Sequence, residues 1–197
     1  MKTQSLIRFG IFAFVMMIAA AFSGAAMAQD ADDYDNHVLS DGKLSEEELA
    51  TVVALAQKHL KEMTEVSVGS VGEELEASGV FQPMAWMLMK DGEVKKMALS
   101  EEAQQAPGEA KVLMYRAGLK SIARRGEIHA SLITYPGKID KNGEQIRIMA
   151  IEHEHRLGVS GLKLIPIELE QGTAEFGNAM SQEKPFQIFY DDKSQKS

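Results

Sequence analysis

The chain reads as an α+β fold, a single antiparallel sheet of about five strands backed by two helices, in the order α-β-β-α-β-β-β. Three observations predict it. Two stretches, from Glu46 and from Pro107, repeat apolar residues at helical spacing. Val80 to Lys90 (VFQPMAWMLMK) is a short run, apolar on both faces and bounded by Gly79 and Asp91-Gly92. Glu127 to Ile167 reads as three consecutive strands separated by turn signals.

The elements follow in order. Asp41 to Leu49 (DGKLSEEEL) has the outline of the second half of an EF-hand loop. Its first and third positions would be His37 and Leu39, where oxygen donors are needed. Ser45 and Glu48 read instead as a capping box. The first helix then runs from Glu46 to about Glu65, with Leu49, Val52, Val53, Ala56, Leu60 and Met63 as its apolar stripe and His59 at its edge. Gly69 and Gly72 break the pattern, and Glu73 to Ser78 adds at most a short helical turn.

In Val80 to Lys90, alternation sets Met87 and Met89 with Ala85, and Met84 with Trp86 and Leu88. That split favours methionine as core filler over a soft-metal site. Asp91-Gly92 turns the chain into an outer strand, Glu93 to Leu99. Ser100 to Gly108 is a polar connection. Pro107 opens a second helix to about Arg125, with Val112, Tyr115, Leu119 and Ile122 facing inward and Gly126 as its stop.

The three-stranded unit begins at Ile128 to Tyr135, which Pro136-Gly137 stops. A polar loop, Lys138 to Gln145, carries the turn dipeptide Asn142-Gly143. Ile146 to His155 returns, and Leu157-Gly158 turns into Val159 to Ile167. On the middle strand, Ile146, Ile148 and Ala150 share a face with Glu152 and Glu154, and Arg147, Met149 and Ile151 share the other with His153 and His155. The charged half of that strand is expected at a wet sheet end. Glu168 to Lys184 has no clear element, Phe186 to Tyr190 reads as one last strand, and Asp191 to Ser197 as a polar tail.

The order of helices and strands is similar to roadblock or profilin-like sheets, a likeness of fold that carries no function. Closer to sequence, Phe81-Gln82-Pro83-Met84-Ala85, Asp91-Gly92, Gly126-Glu127-Ile128-His129-Ala130 and Glu152-His153-Glu154-His155-Arg156-Leu157-Gly158 resemble a group of small bacterial α/β proteins without an assigned activity. Those show a Phe-x-Pro-Phe-Ala strand, an Asp-Gly hairpin and a Glu-His-x-x-Gly segment leading to a proline. Here Met84 stands where phenylalanine is usual, and the Glu-His pair is doubled. The resemblance implies a fold and no catalytic residue.

Composition narrows the function classes. Residues 1–28 have the parts of a secretory signal: Lys2 and Arg8, an apolar run from Phe9 to Phe22, and Ala26-Met27-Ala28 as the cleavage site. Cleavage before Gln29 leaves an acidic lead-in (29–44), one α+β domain (45–190) and the tail (191–197). It predicts a periplasmic or secreted protein with no stable membrane insertion. Loss of Lys2 and Arg8 moves the net charge from −8 to −10, which disfavours nucleic acid as a partner. The chain has no cysteine, and so no disulfide, thiolate nucleophile or cysteine metal site.

Glu152-His153-Glu154-His155 is the densest cluster of metal-capable side chains. On a strand, His153 and His155 project from one face about 7 Å apart at the backbone. With His129 from the preceding strand as a third ligand, they are the candidate zinc or copper set. This is not the helical H-E-x-x-H motif. The bland alternative is a solvated strand end whose charges pair with Arg147, Arg156 or Lys163. There is no G-x-S-x-G elbow, P-loop or dinucleotide fingerprint. The leading expectation is an exported, non-enzymatic module that binds an unknown protein or small ligand without a cofactor, one version being an acidic inhibitor of a basic partner. The alternative is a metal-binding protein or metal-dependent hydrolase using His153, His155 and His129, and a third option is a structural envelope protein.

Overall fold

The structure, a computed structural model, describes residues 45–190. The signal segment, the acidic lead-in with His37 and Leu39, and the polar tail lie outside the described residues. Within them the chain is α+β with a single antiparallel sheet, as the sequence predicts, but the sheet is larger and one helix longer.

Helix α1 spans Glu46–Ser78. Its start is the expected capping box: the Ser45 hydroxyl accepts from the Glu48 amide at 3.2 Å, and the Ser45 amide donates to the Glu48 carboxylate at 2.8 Å. Beyond Glu65 the helix continues through Gly69 and Gly72, correcting the expected break. Ser67, Val71 and Leu75 extend the buried line of Ala56, Leu60 and Met63. Tertiary burial of that line outweighs the glycines' poor helix propensity. Gly79, at φ 75°, ends the helix in the left-handed region that glycine adopts without a Cβ clash.

β1 (Met84–Met89) and β2 (Val94–Lys96) form the first hairpin. A short helix α2 (Glu101–Gln104), capped by Ser100, occupies the connection that reads as merely polar. α3 (Gly108–Arg124) has Pro107 as its N-cap and buries Val112, Tyr115 and Leu119.

β3 (Ile128–Lys141) and β4 (Glu144–His155) make one long hairpin closed by Asn142-Gly143 at φ 57° and 85°. Pro136-Gly137 therefore does not stop β3, and Lys138 to Gln145 is mostly strand. The reason lies in the sheet edge. β1 pairs with β3 only as far as Met84↔Thr134, so Pro136 sits where β3 has β4 on one side alone, and a missing donor there is tolerated.

β5 (Val159–Glu170) pairs with β4 and hairpins into β6 (Thr173–Phe176), and β7 (Met180–Gln182) also pairs with β5. The sheet order is β2-β1-β3-β4-β5-β6, seven strands among the described residues. Glu168 to Lys184 thus contains two of them. Phe186 to Tyr190 is not a strand.

Helices lie on opposite faces. Under α1, Leu60, Met63, Val71 and Leu75 pack on Trp86, Leu88, Leu132, Met149, Ile151 and Ile165. Under α3, Val112, Tyr115 and Leu119 pack on Ala85 and Ile133, with Ile188 of the C-terminal segment joining them. Trp86 and Leu88 fall in the first cluster and Ala85, Met87 and Met89 in the second, as alternation on β1 requires. Each fully buried Leu or Ile contributes about 1.5–3 kcal/mol by area burial. Among the described residues no helix is long and apolar enough to cross a membrane.

Gly69 has no heavy atom within 4 Å of where a Cβ would stand. Gly69→Ala is therefore expected to raise stability by about 0.5–1 kcal/mol, measured by urea denaturation. A loss instead would mean that α1 is interrupted there in solution.

Candidate functional site

The four residues at the end of β4 are buried on both faces. This corrects the expected wet sheet end. α1 covers one face. α3 and the segment from Glu183 to Tyr190 cover the other.

Alternation sends the two acids toward α3. Arg116 grips Glu152 through Nε at 3.0 Å and through Nη2, the Tyr135 hydroxyl donates at 2.9 Å, and Lys184 Nζ lies 3.7 Å away. Burial opposes ionisation of Glu152, but the Arg116 hydrogen bonds and charge outweigh it, with help from Lys184, and hold the carboxyl below its ordinary value. Burial and the Glu152 charge push the Tyr135 hydroxyl up to about 12, so it remains a donor.

Glu154 is wholly buried. Its carboxylate accepts from three consecutive backbone amides, Gln187 at 2.8 Å, Ile188 at 2.9 Å and Phe189 at 3.2 Å, and from Lys184 Nζ at 3.0 Å. These contacts explain why Phe186 to Tyr190 is not a strand: amides that a ladder would use are spent on one carboxylate. The Tyr190 hydroxyl donates to the Arg156 carbonyl and holds the far end of this strap.

The histidines point the other way, toward α1. The Leu157 amide donates to His155 Nδ1 at 3.1 Å, so the proton of a neutral ring sits on Nε2. That Nε2–H meets His59 Nδ1 at 3.1 Å, and the rings lie 5.4 Å apart at 22°. His155 thus latches β4 to α1. His129 is the extra residue where the β1–β3 register shifts between Leu88 and Met89. Its Nδ1 lies 3.5 Å from Arg156 Nη1, and its carbonyl accepts from the Arg156 amide at 2.9 Å. The structure therefore brings His153 and His155 to one face of β4, and His129 does not join them in a metal-holding set. Among the described residues, no three His, Cys, Asp or Glu side chains are placed to hold a metal ion.

His153 is the imidazole that lines an open space. A groove of about 760 Å³ runs between α1 and the β5–β7 edge. His153 forms part of its wall, with Gly161 and Lys163 on β5, Lys58 and Lys61 on α1, and Ser181 on β7. A Cβ at Gly161 would stand 2.8 Å from His153 Nε2, so the ring fits only because that position has no side chain. His153 is nine-tenths buried, and its Nδ1 has no hydrogen-bond partner among the described residues. Burial, with the Lys163 and Lys184 charges, pushes its pKa down to about 4. The Ile151 backbone offsets part of that shift without meeting hydrogen-bond geometry. At neutral pH the imidazole in the groove wall is therefore uncharged, and with Nδ1 sealed from solvent, Nε2 beside Gly161 is the nitrogen left for a ligand. Burial also lowers Lys163 from its ordinary value.

Sequence reasoning found His153, named Lys163 only as a pairing cation for the strand end, and missed Gly161, Lys58 and Lys61. One signal was available. Val159, Gly161, Lys163, Ile165 and Ile167 share a strand face, and a glycine and a lysine interrupting an apolar face mark a gap in the packing. The chain matches no family model, no curated protein and no solved structure.

Two outcomes are expected. Glu154→Gln puts an amide donor among the strap amides and Lys184, and should cost about 3–5 kcal/mol. Hydrogen exchange at Gln187, Ile188 and Phe189 should quicken before the sheet opens, and unchanged exchange would count against the strap. His153 gives a pH signature. The unfolded chain binds its proton near pH 6.5 and the folded chain only near 4. The stability tied to a neutral His153 is thus fully present above pH 6.5 and falls away toward pH 4, by up to about 3 kcal/mol. Urea titrations should show this slope in wild type and not in His153→Gln.

Proposed function

We propose that the chain acts after export as a non-enzymatic binding module whose ligand lies in the groove between α1 and the β5–β7 edge. One observation carries the reading: an uncharged, nine-tenths-buried imidazole in the wall of a groove of about 760 Å³. That volume is in the range of small-molecule sites, which pair a concave surface with a few placed polar groups. The buried acids of β4 are committed to holding the fold, whereas His153 is not. Export rests on the features of residues 1–28. The alternative, a metal-binding protein or metal-dependent hydrolase, would draw on His153, His155 and His129, of which His153 alone lines the groove.

Ala54 is exposed on α1 and lines the same groove, so Ala54→Trp should fill it without touching the core. Ligand-observed NMR with a mixed fragment library should give wild-type binders that are lost in Ala54→Trp, at unchanged thermal stability. Binders indifferent to the tryptophan, or none at all, would refute the groove as the binding site.

A further inference from the structure

Lys163 has an environment unlike the other cations at this end of the sheet. Arg116 is paired with Glu152, and Lys184 with Glu154 and Glu152. Lys163 is half-buried on the α1 face, cross-strand from Ile151 and Ser181, with no ion-pair partner among the described residues. A partly desolvated ammonium without a counter-charge costs stability. It lines the groove beside His153, and Lys58 and Lys61 line the α1 wall. Those two reach only loose, exposed pairs with Glu62 and Glu65, at 4.0 and 3.7 Å, and so can turn toward a ligand. Glu183 is the one acid in the lining, at an exposed position. Three ammonium groups in one groove are unexpected on a chain with a net charge of −8.

We propose that this groove binds a small molecule carrying an oxyanion, a carboxylate or a phosphate, with Lys163 Nζ as its charge partner and His153 as the neutral group that hydrogen-bonds a second polar atom of the ligand. The inference rests on the groove being the binding site and adds the ligand's chemical class. Lys58 and Lys61 steer the anion and contribute the salt-dependent part of the affinity. An anion beside Lys163 also offsets the positive field that disfavours protonated His153. Ligand binding and His153 protonation are then linked, each favouring the other.

The test uses protein recovered after expression of the whole chain. Succinate, inorganic phosphate and uncharged succinamide are titrated by NMR into wild type, Lys163→Met, Lys163→Arg and Ala54→Trp. Succinate or phosphate should perturb Gly161, Lys163 and His153, and the affinity should fall with added potassium chloride. Lys163→Met should weaken binding about tenfold or more, Lys163→Arg should retain most of it, and Ala54→Trp should abolish it. Phosphate binding without succinate would assign a phosphate ligand, and the reverse a carboxylate. The His153 midpoint should rise when the anion is present. Lys163→Met should also unfold at a higher temperature than wild type, because the desolvated charge is gone, a gain that a merely structural lysine would not give. Succinamide binding as well as succinate, or equal binding in Lys163→Met, would overturn the anion assignment and leave the groove standing as a site. No binding of the two anions, together with no Ala54-sensitive fragment of any charge, would remove both.

Discussion

Two glutamate side chains are buried two residues apart on β4, and the architecture around them follows from the need to compensate both. An uncompensated buried carboxylate costs several kcal/mol. Glu152 is met by Arg116 from α3, Tyr135 from β3 and Lys184 from the C-terminal segment. Glu154 is met by Lys184 and three backbone amides of that same segment. Lys184 bridges the two acids. α3, β4 and the strap are therefore held by one network, and Ile188, carried in by the strap, completes the apolar cluster beneath α3.

The period of two along a strand gives the other face a different role. His155 spends both ring nitrogens on holding β4 to Leu157 and to α1 through His59. His153, two residues earlier, meets Gly161 where a partner's side chain would stand, and its ring is left at a groove. Structure and recognition are thus divided within four consecutive residues. The acids secure the fold, one histidine latches a helix, and the other is kept neutral by burial and by nearby lysines.

Much of the fold was legible locally. The capping box at Ser45 and Glu48, the inward faces of β1 and of α3, and the turns at Asp91-Gly92 and Asn142-Gly143 each depend on residues close in sequence. Errors fell where distant partners decide. Gly69 and Gly72 lower helix propensity, yet burial of Val71 and Leu75 against the sheet carries α1 across them. Pro136 reads as a stop, yet β1 does not extend far enough to need its amide. Glu152 to His155 reads as a solvated end because the groups that neutralise it lie 36 residues before it, at Arg116, and 30 residues after it, at Lys184.

By itself the sequence determined an α+β chain with one antiparallel sheet, the starts of the two long helices, the segments of the first five strands and the pairing of Glu-His-Glu-His into two faces. These follow from periodicity and capping, which act over a few residues. Only the tertiary structure decided that both faces are covered, that Phe186 to Tyr190 serves Glu154 rather than a ladder, that His129 meets Arg156 rather than joining His153 and His155, and that Lys163 has no ionic partner within the described fold. Strand register, helix docking and the course of the strap set those outcomes, and each depends on contacts between segments far apart in the chain.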